Sequence, residues 1–127
     1  MEKSISYQVL IDLYDCDYDK MEDLDYIKNV MHKLSEILGT TIKKEAFHQF
    51  SPYGISGVLI IAESHLTIHT WPEYKYAGID LFTCSKKLNT EEAVKFLCES
   101  LNTTKYEIKE INRGKVIENL CKRKKTY

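Results

Sequence analysis

Reactive side chains are concentrated in one short part of the chain, ESHLTIHTWPEY at residues 63–74, with Cys84 following shortly after. Ser64, His69 and Cys84 supply a potential nucleophile, a base and a thiol, which are the ingredients of covalent catalysis. Two apolar segments that flank the histidines have the composition of short buried strands: residues 58–61 and 77–82. Polar groups threaded between buried strands cost desolvation energy unless they are paired or used. The same residues would also suit a half-buried strand whose polar side chains face solvent, so their spacing leaves both interpretations open.

A metal site is a further interpretation of the two histidines in this stretch. His65 and His69 are four residues apart, a spacing that places two ligands on one face of a helix. Thr67 and Ile68 between them favour a strand instead, and no glutamate follows the first histidine as it does in zinc-protease helices. We therefore expect no metal in this protein.

Length and composition point to an ordinary globular domain. The 127 residues suffice for a single modest core, so residues 1–127 are expected to fold as one domain. Apolar and charged contents of 43% and 29% are average, and a net charge of −1 argues against nucleic acid as a partner. We expect no membrane span and no signal peptide, and the basic run at 122–125 reads as a solvated tail or, alternatively, an anion site. The four cysteines show neither CxxC nor zinc spacing, which indicates reduced thiols in the cytoplasm.

Hydrophobic periodicity predicts the elements that position the reactive residues. Six segments have the pattern of strands: 6–14, 41–50, 57–62, 66–70, 76–83 and 106–111. Apolar residues at helical spacing predict two helices, at 21–38 with Gly39 as its C-terminal cap and at 90–101 with Asn89 or Thr90 as its N-terminal cap. This order predicts an α+β fold, a two-layer sandwich in which an antiparallel β-sheet carries two helices on one face.

Three runs of the sequence closely resemble the prokaryotic S-adenosylmethionine decarboxylase proenzyme: AFHQFSPYGISG at 46–57, ESHLTIHTWPEY at 63–74 and AGIDLFTC at 77–84. The match is long and nearly continuous, and the order of the predicted elements also fits the family. The resemblance implies a pyruvoyl-dependent decarboxylase of S-adenosylmethionine that supplies the aminopropyl donor for spermidine synthesis.

Members of that family make their own cofactor. A serine hydroxyl attacks the preceding carbonyl to give an ester, and elimination then splits the chain. Mapped onto this sequence, the resemblance implies cleavage between Glu63 and Ser64, into a β chain of residues 1–63 and an α chain of residues 64–127. Ser64 would become the pyruvoyl group, whose ketone serves as an electron sink that the protein orients toward the substrate.

The resemblance also implies roles for individual residues. His69 matches the histidine that promotes processing, and Ser56 matches a serine that assists it. Cys84 matches the proton donor of the decarboxylation, a role that suits a thiol held protonated. Glu73 matches the acid that binds the ribose hydroxyls, and Phe50 matches an aromatic residue near the adenine. A plain core position for Phe50 and a plain turn position for Glu73 are the alternatives.

One position departs from the family pattern. The family has a histidine four residues before the acidic residue of its first strand, whereas here Gln8 precedes Asp12. This departure keeps open a pyruvoyl-dependent decarboxylase of another amino acid, such as arginine or ornithine. A non-catalytic regulatory partner of such an enzyme is a third reading, against which the intact serine, histidine and cysteine argue.

The predicted architecture also has a consequence for assembly. A sheet with helices on one face leaves its other face in need of cover. The resemblance implies that the family covers it by forming a homodimer of cleaved protomers, with the active sites near the interface.

Overall fold

The computed structural model describes residues 4–84 and 88–115, which form one six-stranded sheet, three α-helices and a short 3-10 turn. The strands are β1 (Ser4–Tyr14), β2 (Ile42–Gln49), β3 (Ile55–Ile61), β4 (Ser64–Trp71), β5 (Tyr76–Cys84) and β6 (Lys105–Lys115). The helices are α1 (Tyr18–Met21), α2 (Leu24–Ile37) and α3 (Thr90–Ser100), and the 3-10 turn covers Pro72–Tyr74. The predicted basic tail at 122–125 lies outside the described residues.

The strands join one antiparallel sheet in the order β2-β3-β4-β5-β1-β6. The first strand of the chain therefore lies between the last two, with Ser6 paired to Cys84 of β5 on one side and to Arg113 of β6 on the other. The strands from β2 to β5 follow one another in sequence and in space. The edge strand β6 extends four residues beyond the predicted end at 111, because β1 continues to pair with it as far as Ser4 and Lys115.

Helices and core lie on one face of the sheet. Along β4 the side chains alternate, and Leu66 and Ile68 are fully buried with the helix residues Met31 and Leu97 in a single core cluster. The predicted two-layer α+β sandwich is confirmed. We call the opposite side of the sheet the open face; it presents Gln8, Asp12, His69, Trp71, Tyr76 and Phe82. Among the described residues, no helix has both the length and the apolar content needed to cross a membrane.

The first predicted helix is divided in two. Asp17 caps α1 by accepting a hydrogen bond from the N–H of Lys20, and Asp23 caps α2 in the same way through the N–H of Tyr26. Because aspartate at an N-cap starts a new helix, α2 begins at Leu24 and not at residue 21, and Met21 is instead the last residue of the one-turn helix α1. The caps at Gly39, with a φ of +68°, and at Asn89 are as predicted.

Candidate active site

The peptide bond expected to break lies in the tight hairpin that joins β3 to β4. Ile61 pairs with Ser64 across this hairpin, so that Ala62 and Glu63 alone form the turn. Glu63 has a φ of +61°, in the left-handed region, which costs a residue with a side chain about 1–2 kcal/mol. Strand β4 begins at Ser64, two residues before the prediction, because the short turn lets pairing continue to that position. Backbone strain is therefore located immediately before the serine.

Ser64 lies beside the predicted thiol residue. The backbone N–H of Cys84 donates a hydrogen bond to Ser64 Oγ over 3.3 Å. This contact follows from the strand register, since His65 pairs with Phe82 and the residue before His65 therefore meets the end of β5. Both Ser64 and Cys84 are half-buried. We call Glu63, Ser64 and Cys84 the Ser64 site.

The predicted processing residues also contact each other. Ser56 of β3 and His69 of β4 are direct partners in the antiparallel ladder, and Ser56 Oγ lies 2.8 Å from His69 Nδ1. The His69 ring packs at a tilt against Trp71, with 5.9 Å between the ring centroids. A hydroxyl on one imidazole nitrogen and a ring at its side fix the orientation of the histidine, as a positioned base requires.

A cleft of about 290 Å³ at this end of the sheet brings together four of the predicted site residues. We call it the His69 cleft; its walls include Phe50, Ser56, His69 and Glu73, with Trp71 beside them. Phe50 is 48% exposed, so the alternative that it is a core residue is wrong. Glu73 lies in the 3-10 turn that begins with the proline, so it is a turn residue whose side chain also lines the cleft.

The loop that carries Phe50 is held by one hydrogen bond within the loop and by another to Glu22, just before α2. The N–H of Phe50 donates to the carbonyl of Gly54 over 2.8 Å, and the N–H of Gly54 donates to the Glu22 carboxylate over 2.6 Å. Gly54 has a φ of +100°, and a Cβ there would lie 3.0 Å from the carbonyl oxygen of Thr70. Glycine is needed at this turn, and the turn sets the position of the ring.

The two groups of site residues lie at opposite ends of β4. Ser64 and His69 are five positions apart on β4, which at about 3.3 Å per position places their Cα atoms roughly 16 Å apart. An odd separation along a strand also directs the two side chains to opposite faces of the sheet. The structure therefore brings Ser64 to Cys84 and His69 to Ser56, Glu73 and Phe50, but it does not bring His69 to Ser64 within one chain.

An aromatic row on the open face was not predicted from the sequence. The rings of Tyr14, Tyr76 and Trp71 stack in series with centroid separations of 5.6 and 5.4 Å. The Tyr76 hydroxyl donates a 2.5 Å hydrogen bond to Asp12. A Cβ at position 78 would lie only 2.9 Å from this hydroxyl, so Gly78 leaves room for it. Burial and the Asp12 carboxylate raise the pKa of Tyr76, which keeps this hydroxyl protonated as a donor. The three rings come from β1, β4 and β5, so no pattern within one strand could have indicated the row.

A second unpredicted contact involves the position that departs from the family pattern. Gln8 of β1 accepts a 2.8 Å hydrogen bond from Arg113 Nη1, and the Arg113 guanidinium lies 5.4 Å from the centroid of Phe82. Phe82 in turn stacks on His65, with 5.0 Å between the rings. Because β1 and β6 are far apart in sequence, no local pattern could have indicated this contact.

The histidine pair considered for zinc is not arranged as a metal site. His65 and His69 belong to β4, as the strand-favouring residues between them predicted, and four residues of strand separate them by about 13 Å. Among the described residues, no group of three or more His, Cys, Asp or Glu side chains is arranged to hold a metal ion.

Comparison with known proteins shows the family of the chain. The family model for S-adenosylmethionine decarboxylase matches residues 7–114. The chain belongs to the S-adenosylmethionine decarboxylase family. It is 52% identical over 114 residues to an S-adenosylmethionine decarboxylase proenzyme of Clostridium botulinum, covering 90% of this chain and 98% of that one. A proenzyme of the same name from Acidithiobacillus ferrooxidans is 41% identical, with 90% and 86% covered.

The fold is also that of a solved member of the S-adenosylmethionine decarboxylase family. The crystal structure of the adenosylmethionine decarboxylase from Aquifex aeolicus matches with a TM-score of 0.82 and 30% sequence identity. The match covers 91% of this chain and 96% of the Aquifex chain. The likeness therefore extends over the whole sheet and its helical layer.

Proposed function

We propose that this protein is a self-processing, pyruvoyl-dependent decarboxylase of S-adenosylmethionine that supplies the aminopropyl donor for spermidine synthesis. The observation that carries the proposal is the Ser64 site, where a strained Glu63 precedes a serine that contacts Cys84. Relatives named as S-adenosylmethionine decarboxylase proenzymes match nearly the whole chain, which supports both the substrate and the processing step.

Processing begins at the hairpin. Ser64 Oγ attacks the carbonyl carbon of Glu63, the amide C–N bond breaks, and an ester links the two residues. Loss of the Ser64 Cα proton and of the ester oxygen then separates a chain of residues 1–63 that ends in a carboxylate. Water replaces the nitrogen of Ser64, which leaves as ammonia. Relief of the left-handed conformation at Glu63 favours the rearrangement.

The residues around Ser64 suit a pyruvoyl group. The Cys84 N–H, which donates to Ser64 Oγ, is a donor that equally suits a carbonyl oxygen at the same residue. A bound pyruvoyl supplies a ketone that accepts the electron pair released when carbon dioxide leaves. Cys84, whose backbone N–H contacts Ser64, would return a proton to the product carbon through its thiol.

The His69 cleft suits the nucleoside part of the substrate. The Glu73 carboxylate can accept two hydrogen bonds from a ribose diol, and the half-exposed Phe50 ring can stack on adenine. Arginine and ornithine have neither a ribose nor a purine for these groups to recognise. The cleft therefore favours S-adenosylmethionine over the basic amino acids.

A second copy of the chain completes the site. One protomer separates the Ser64 site from the His69 cleft by about 16 Å, which is too far for His69 to move a proton at Ser64. A two-fold dimer that brings the Ser64 site of one protomer to the His69 cleft of its partner would complete the site, and would cover Trp71, which is 41% exposed. The free thiols of Cys16, Cys84 and Cys98 support a cytoplasmic location for this dimer.

Self-cleavage and substrate choice test the proposal. Purified wild-type protein is expected to run as two fragments of 63 and 64 residues, and Ser64→Ala is expected to remain whole. Carbon dioxide release is then measured from S-adenosylmethionine, ornithine and arginine side by side. An uncut wild-type chain would contradict the pyruvoyl mechanism and favour a regulatory partner. A cut chain that prefers a basic amino acid would contradict the substrate alone.

The role of Cys84 has its own test. Cys84→Ala is expected to lower turnover by about 10²–10⁴-fold, the usual cost of losing a general acid, while the chain still cleaves. Cys98→Ala is the matched control, because that thiol is on the buried side of α3 and away from the Ser64 site. Full turnover with the correct product in Cys84→Ala would remove the thiol from the mechanism.

A further inference from the structure

Arg113 is held in one orientation at the Ser64 end of the open face. Its backbone carbonyl accepts a 3.1 Å hydrogen bond from the Ser6 hydroxyl, and its Nη1 donates over 2.8 Å to Gln8 Oε1. The guanidinium carbon lies 5.4 Å from the centroid of the Phe82 ring. A side chain fixed at its backbone, at one nitrogen and along a ring differs from a freely moving surface cation.

The strand register places Arg113 in line with Cys84 of the Ser64 site. Ser6 pairs with both Cys84 and Arg113, so these two residues share a row across the sheet with β1 between them. Two strand spacings put their Cα atoms about 10 Å apart. The contact with Phe82 shows that the arginine side chain reaches across β1 to β5, and Phe82 is on the same face as Cys84, two residues away.

We propose that Arg113 binds the α-carboxylate of the amino acid substrate at the Ser64 site, and that Gln8 holds the guanidinium in the orientation this requires. The inference rests on the proposed function and names the group that recognises one end of the substrate. Guanidinium presents five N–H donors in a plane and pairs with carboxylates through two parallel hydrogen bonds.

The residue that holds Arg113 matters for its charge. Gln8 is a neutral acceptor and occupies one of the five donors, so it orients the guanidinium without cancelling the positive charge. A carboxylate at position 8 would neutralise it. Among the described residues, no salt bridge joins Arg113 to an acidic side chain.

The chemistry of decarboxylation predicts which binding step depends on this contact. The substrate carries the carboxylate and the decarboxylated product does not. An arginine that pairs with the carboxylate strengthens binding of the substrate and leaves binding of the product unchanged. The same contact helps the enzyme to exchange product for substrate at the end of each cycle.

The test compares ligands with and without the carboxylate. In Arg113→Gln, KM for S-adenosylmethionine is expected to rise about 10- to 150-fold, the effect of losing a hydrogen bond to a charged group, while kcat changes little. The inhibition constants of the decarboxylated product and of the S-adenosylmethionine methyl ester are expected to stay within about threefold of wild type. Arg113→Lys should recover part of the loss, and Gln8→Leu should raise KM less than Arg113→Gln does.

Lys109→Gln is the matched control. Lys109 lies on β6 on the same face as Arg113, and its substitution also removes one positive charge. It should leave KM unchanged, and self-cleavage should proceed in every variant. An unchanged KM in Arg113→Gln, or an equal weakening of substrate and product, would overturn the proposal. A wild-type enzyme that acts only on ornithine or arginine contradicts the substrate assignment instead. The role of Arg113 is then tested with the KM of that amino acid and the inhibition constant of its decarboxylated product. A wild-type chain that releases no carbon dioxide from any of the three refutes the proposed function and this inference with it.

Discussion

Mixing two inactive variants tests whether the site is shared between protomers. Ser64→Ala lacks the nucleophile and His69→Ala lacks the base, so neither is expected to cleave alone. If each Ser64 is processed by the His69 cleft of its partner, a dimer of one Ser64→Ala chain and one His69→Ala chain contains one intact site. In that dimer the His69→Ala chain should be cut, because its own serine meets an intact histidine.

The expected yield follows from random pairing. With equal amounts of the two chains, about half of the His69→Ala chains have a Ser64→Ala partner, so about half of them should be cut. No Ser64→Ala chain should be cut. Different affinity tags on the two co-expressed variants allow the fragments to be assigned by gel electrophoresis and mass spectrometry.

A second mixture is the control. Ser56 and His69 share one cleft, within 2.8 Å of each other, so Ser56→Ala and His69→Ala damage the same half of the site. Their mixed dimers contain no intact site and should cleave no faster than the separate variants. A site shared between protomers is refuted if His69→Ala alone cleaves at the wild-type rate. It is also refuted if the Ser64→Ala mixture stays uncut while wild type cleaves.

Three further outcomes are expected. Glu73→Gln should lower kcat/KM for S-adenosylmethionine about 10- to 150-fold, because the amide is a weaker acceptor for a diol than the carboxylate. Gly57→Ala should lower the free energy of unfolding by about 1–3 kcal/mol in urea titrations, since its Cβ would lie 2.3 Å from the Phe47 ring. In a chain without Cys121, iodoacetamide at pH 8 should modify Cys84 well before Cys16, because Cys16 is 1% exposed and burial raises its pKa to about 12.

Each of these outcomes has a control. Glu45→Gln should leave kcat/KM unchanged, because Glu45 bonds to His32, away from the His69 cleft. Adding Phe47→Leu to Gly57→Ala should cost less than the sum of the two single changes, as expected when one clash is relieved. In urea, both thiols should react at similar rates. Equal rates in the folded chain would contradict the burial of Cys16, and an unchanged kcat/KM in Glu73→Gln would remove the ribose contact.

The strands could be predicted from local pattern, whereas the site residues and the homodimer were implied by the family resemblance and stay predictions. Alternation of apolar and polar residues predicted β4 and β5, and the same strand geometry already implies that Ser64 and His69 are far apart. The start of α2 was missed because Asp23 caps a new helix within a continuous apolar pattern. The pairing of β1 with β6 joins residues about a hundred positions apart, so nothing local to Gln8 indicates Arg113.

The strand order also determines what would happen to the molecule if the chain were cut after Glu63. The fragment of residues 1–63 would keep β1, β2 and β3, and the fragment of residues 64–127 would keep β4, β5 and β6. Because β1 lies between β5 and β6, and β3 pairs with β4, the two fragments would be joined along three separate strand boundaries. Neither fragment could leave without removing a strand from the interior of the sheet, so the cut protein would keep its fold as two interlocked chains with two new termini at Glu63 and Ser64.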